Sequence, residues 1–221
     1  MRALVRKELR EVFGIAAAAL GCYLALAANL MGAKVFDWVP GMPRGTNEVP
    51  FTGGSFTTLF TLISAVFAVA LGFRQSAWES ARGTYLFLLH RPLSRDAIFL
   101  TKLATGVGVF FFCAAVPILL YGAWAAVPGH HPGPFEWSMT APAWLIVFLM
   151  PLLYLGAFLS GLRPARWFGT RLLPLVAALA VLVLLDDLPW WAATLTVPLA
   201  PLLYGLLAAN VCYVARARDY A

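Results

Sequence analysis

Apolar residues in this chain gather in six long runs, at roughly 12–31, 56–73, 98–127, 143–162, 172–188 and 192–214. Each is close to the ~20 residues that a helix needs to cross a hydrocarbon core. Lipid gives backbone groups no partner, so every run is predicted to be helical. The fifth and sixth are parted only by Asp186-Asp187-Leu188-Pro189-Trp190-Trp191, a polar turn followed by a tryptophan pair suited to an interface. Two stretches show a different pattern. In residues 1–13, Leu4, Val5, Leu9, Val12 and Phe13 recur at helical spacing, with Arg2, Arg6, Lys7 and Arg10 mostly between them. That pattern predicts an amphipathic helix in the membrane plane, its cations near anionic headgroups. The segment 74–102 is basic and helix-forming, and it lies between two apolar runs.

Composition sharpens the membrane reading. Hydrophobic residues make up 62% of the 221 and charged residues 12%, with mean hydropathy +0.81. Soluble domains average about 45–50% and about 25%, so the bilayer must solvate most of this surface. The expected class is therefore an all-α polytopic membrane protein of six spans, with 1–221 forming a single transmembrane domain. The net charge of +6 then reports topology rather than nucleic-acid binding. Fourteen of the sixteen Lys and Arg fall in the two end segments and the second and fourth connections. Only Lys34 and Arg44 lie on the other side, so both ends and the 74–102 segment are expected to be cytoplasmic.

Candidate chemistry is sparse. Cys22, Cys113 and Cys212 all sit inside apolar runs, without disulfide or metal-ligand spacing. Ala19-Leu20-Gly21-Cys22 is a poor lipoprotein cleavage site, because the apolar run continues to Met31. Span centres carry almost no ionisable group, and Lys102 is expected to snorkel from the start of the third span. That argues against an ion-coupled carrier. Ser55, after Gly53-Gly54, suits helix capping better than catalysis. Asp186-Asp187 has no second acidic pair one turn on, and His130-His131 has no third ligand, so no metal site is expected. No phosphate loop is present, and ATP hydrolysis by that route is not expected of this chain.

The 74–97 segment reads as a helix over 76–89, a stop at His90-Arg91-Pro92, and a new helix capped by Ser94 with Asp96 in its first turn. From the residues alone, this is either an elbow that meets only water and headgroups or a docking element. Glu79, Gly83-Thr84, Leu88-Leu89, Pro92-Leu93-Ser94-Arg95 and Lys102 resemble, in order and spacing, the signature of the type-2 ABC exporter permease family. Arg6-Lys7-Glu8-Leu9-Arg10 is similar to that family's in-plane start, and the six-span layout extends the resemblance to the whole chain.

The resemblance implies a permease subunit without enzymatic activity, in a bacterial-type cytoplasmic membrane. A second permease subunit, identical or paralogous, would pair with it. Two separate ABC ATPase subunits, carrying the ATP and Mg, would dock from the cytoplasm. The 76–89 helix would be the coupling helix, with Glu79 and Arg82 as charged contacts and Gly83 and Thr84 beside them. Pro92, Ser94 and Arg95 would form a rigid joint to the third span, and Arg6, Lys7, Arg10 and Lys102 would lie at the membrane interface. The family's re-entrant hairpin between the last two spans has little room here, with only about 186–196 available. Two other readings remain open from the residues: a lipid-acting membrane enzyme using Asp186/Asp187 or the histidines, and a non-transporting scaffold.

Overall fold

The computed structural model describes residues 2–33, 35, 49–81, 94–130, 134–164, 170–186 and 196–217. The described residues are mostly helical and include no strand. Helix α1 spans Arg2–Ala28, α2 Gly54–Ala81 and α3 Arg95–Ala125. A short 3-10 turn, Trp137–Thr140, leads into α4 (Ala141–Leu149), followed by α5 (Pro151–Leu162). A second such turn, Thr170–Leu172, opens α6 (Leu173–Asp186), and α7 spans Thr196–Ala217. Five stretches are long and apolar enough to cross a membrane: Arg2–Ala33, Phe56–Glu79, Arg95–Ala125, Trp137–Leu162 and Thr196–Ala217. The fifth predicted run appears as a shorter apolar helix, Thr170–Leu185.

The helix boundaries differ from the sequence reading in three places. The in-plane helix expected over 1–13 is the first part of α1, which runs unbroken from Arg2 to Ala28. No proline separates the two parts, and a lone Gly14 costs only about 1 kcal/mol relative to alanine. The expected apolar face of 1–13 also divides: Leu4 and Val12 are buried, while Leu9 and Phe13 are exposed. Likewise α2 does not stop at Phe73 but continues to Ala81, so residues 76–81 of the expected coupling helix are its last turns. The remainder, 82–93, lies outside the described residues. Finally, the fourth span divides at Met150, because Pro151 has no N–H to continue the ladder and suits the first turn of a new helix.

The chain forms two compact units. The first comprises Met1–Gly14, Ala68–Val109 and Leu149–Ala221. Every residue of α5 is buried, and α5 packs against α6 and α7. At Gly72 a Cβ would sit 2.6 Å from the Tyr154 carbonyl oxygen and 2.8 Å from Ala157 Cβ, so only glycine lets α2 approach α5 this closely. Arg171 donates from Nε to Ser160 O (3.2 Å) and from Nη2 to Gly161 O (3.0 Å). A cation thereby caps the free carbonyls and negative dipole end of α5. Ser160 Oγ in turn accepts from Leu175 N at the start of α6 (3.2 Å).

The second unit comprises Ile15–Phe67 and Phe110–Phe148. Its interior is aromatic: Phe56 stacks on Phe60, Phe67 on Phe110, and Tyr121 on Trp124. Tyr23 shares a 2.7 Å hydrogen bond with Ser64, both buried. Phe51 adopts a left-handed φ of 63°, rare for a bulky side chain, yet is 1% exposed. Its ring meets Phe56, Tyr121 and Phe135, contacts that hold it in that conformation.

Candidate functional site

The first unit holds a buried ion network built by four helices. α1 supplies Lys7, Glu8 and Glu11; α2 supplies Gln75 and Glu79; α3 supplies Lys102; α5 supplies Tyr154. Each inner charge continues an apolar stripe at a four-residue step. Glu8 lies between Leu4 and Val12, Gln75 and Glu79 follow Leu71, and Lys102 follows Ile98, all buried. Four residues is one helical turn, so the packing that buries the stripe carries the polar side chain inward with it.

Lys102 is the centre. Its Nζ is 2.7 Å from Glu8 Oε1 and 2.6 Å from Glu79 Oε2, with the lysine and Glu8 side chains fully buried and Glu79 4% exposed. One cation therefore serves two carboxylates. Lys7, 30% exposed, supplies the second cation at 2.7 Å from Glu79 Oε1 and 3.2 Å from Glu11. Gln75 links charge to backbone: its Nε2 donates to Glu8 Oε2 (3.3 Å) and to Lys102 O (3.4 Å). Tyr154 OH donates to Gln75 Oε1 at 2.7 Å. Gly106 makes room for this junction, since a Cβ there would collide with the Tyr154 hydroxyl and Gln75 Oε1.

Removing an ion from water costs several kcal/mol, and the mutual attraction repays it only when geometry is good and the remaining polar atoms are bonded. That condition is met at Glu8, whose oxygens meet Lys102 and Gln75. Carboxylate oxygens of Glu8, Glu11 and Glu79 lie within 4.8 Å of one another, and Lys7 Nζ is 3.7, 3.2 and 2.7 Å from them. Lysine thus fills the place that a metal ion would take.

The residues singled out from sequence separate into groups. Glu79, expected to be a charged contact for a partner, is buried and ion-paired within the chain. Lys102, expected to snorkel, is wholly buried between two acids. Lys7 is half-buried in the same network, while Arg6 and Arg10 are exposed. Ser94 Oγ accepts from Ala97 N (3.3 Å), as an N-cap does. Arg95 donates to Arg216 O (3.3 Å), and Arg216 forms a bidentate pair with Asp96, Nε to Oδ1 at 2.8 Å. Arg82, Gly83, Thr84 and Pro92 lie outside the described residues. Of the residues weighed for enzymatic chemistry, His130 is exposed and stacks on Trp124, Asp186 ends α6, and His131 and Asp187 are not described.

Sequence reasoning gave no role to Glu8, Gln75 or Tyr154. A signal was present for the first two: a polar residue one turn from buried apolar residues on its own helix. Tyr154 carries none, because one more aromatic in an apolar run is unremarkable. Searches against protein-family models, curated proteins and solved structures find no match to this chain.

Proposed function

We propose that the chain is the membrane-spanning permease subunit of an ATP-driven transporter of the type-2 ABC exporter kind. In this reading both ends face the cytoplasm of a bacterial-type cell, a second permease subunit pairs with it, and separate ATPase subunits dock on the segment between α2 and α3. The observation that carries the reading is the Glu79–Lys102 ion pair. These residues open and close the signature on which the resemblance rests, and they flank the 82–93 segment at the end of α2 and the start of α3. A lever that passes force into two helices needs both of its roots fixed to one point. Lys7 and Glu8 add α1 to that point, so a displacement of the segment would bias three helices together, as a bistable coupling element requires.

Glu79 is thereby a root of the lever, and Arg82 is the charged contact left for the ATPase. Pro92, Ser94 and Arg95 form the return joint. The test is a tagged pull-down from native membranes in mild detergent, with mass spectrometry of what co-elutes. A phosphate-loop ATPase is expected with the wild type and is expected to be depleted several-fold by Arg82→Glu. Glu79→Gln is expected to retain the ATPase but to lower permease-dependent stimulation of its turnover. An intact protein that brings down no ATPase would sink the reading.

A further inference from the structure

We propose that α7 is the face on which a second copy of this chain docks, with Asn210 pairing across the dimer axis. Of the five long apolar stretches, α7 is the least enclosed: 11% of its most apolar window is buried, against 28% to 78% for the others. It turns Ala200, Val211 and Ala215 inward and leaves Leu199, Leu202, Leu206 and Tyr213 outward. Lipid covers such a face well, with one exception. Asn210 is exposed in the same stripe, one turn after Leu206. One amide N–H bonds back to Leu206 O at 3.0 Å; the second N–H and the side-chain carbonyl have no partner among the described residues. Acyl chains satisfy neither group.

A second copy satisfies both. Two copies inserted with the same topology are related by a twofold axis along the membrane normal, so a residue close to that axis meets its own counterpart. An amide carries a donor and an acceptor, which makes asparagine self-complementary across such an axis. Interhelical hydrogen bonds of this kind help to hold helices together in membranes. The proposal deepens the paired-permease reading, on which it rests for the need of a second subunit. It assigns the partner as an identical chain and names the contact, and neither assignment depends on an ATPase.

The full chain, purified alone and reconstituted at varied density in vesicles of bacterial phospholipid, is tested in two ways. Pairing measured by single-molecule photobleaching should show dimers, with a dissociation constant raised about 5–30-fold by Asn210→Leu, the change corresponding to 1–2 kcal/mol. Asn210→Cys, in a background of Cys22→Ser, Cys113→Ser and Cys212→Ser, should give a disulfide-linked dimer on mild oxidation. Val183→Cys, exposed on α6 in the same background, should not. A chain that stays monomeric at every density overturns the proposal and leaves lipid or a different subunit as the cover of α7. A dimer that neither cross-links at 210 nor responds to Asn210→Leu also overturns it, while leaving the permease reading intact. Failure of the ATPase pull-down with a normal 210 cross-link would sink the transporter reading and leave this proposal standing.

Discussion

Within the two units of this protein, opposite kinds of interaction make up the interior. The first centres on a few ions whose partners are fixed in number and direction: Lys102 between Glu8 and Glu79, with Lys7 at the rim. The second centres on aromatic rings, with Phe51, Phe56, Phe60, Phe67, Phe110 and Tyr121 in contact by several geometries. Rings tolerate re-packing because each has many interchangeable contacts. An ion network does not, because deleting one member leaves a counter-charge buried without its partner. The contrast teaches where precise position matters: the charged junction sits at the roots of the segment proposed for coupling, and the aromatic interior lies in the other unit.

The strongest way to break that contrast is to remove the central cation. Lys102→Met should cost about 3–5 kcal/mol, since two carboxylates lose their common partner. The check is the thermal unfolding midpoint in detergent. Combining it with Glu8→Gln and Glu79→Gln should recover much of the loss, which no aromatic substitution can do. In the second unit, Phe60→Ala should cost about 3 kcal/mol, and Phe60→Leu should recover most of it, because shape rather than charge is at stake. Gly106→Ala should cost about 1–3 kcal/mol by displacing the Tyr154 hydroxyl, and pairing it with Tyr154→Phe should give less than additive loss. Tyr23→Phe should cost about 1 kcal/mol by leaving Ser64 with one bond fewer. Asp96→Asn, at the exposed pair with Arg216, should leave the midpoint unchanged within error.

Much of the fold is legible in the apolar runs, because run length and lipid's lack of hydrogen-bonding groups leave helix as the only economical state. Their boundaries are harder to read. Charge at Arg10 and Arg74 looks like the end of a membrane segment, yet α1 and α2 pass through both positions unbroken. Charge alone does not stop a helix, and neither place holds a proline; even a proline need not end one, since Pro117 and Pro201 lie inside α3 and α7. Pro151 does obstruct, and the helix ends there. The site is half legible. Glu79 and Lys102 stand out by resemblance, but a resemblance names residues without saying which way they face. Their pairing depends on the approach of α2 and α3, 23 positions apart in the chain. Glu8 was hidden by its setting, because an acid among Arg6, Lys7 and Arg10 reads as a solvated helix face. Only the phase of Leu4 and Val12 places it inside.

The distance along the chain between Glu8 and Lys102 has a consequence for biogenesis. Ninety-four residues separate the acid from its base. At translation rates of about 5–20 residues per second, the acid waits roughly 5–20 seconds for its counter-charge to be made. During that interval Glu8 has Lys7 of its own helix as its neighbouring cation, and Glu79, once made, finds Lys7 already in place. The network that joins Glu8 to Glu79 closes only once Lys102 has been made, so the order of synthesis is written into the pairing of its charges.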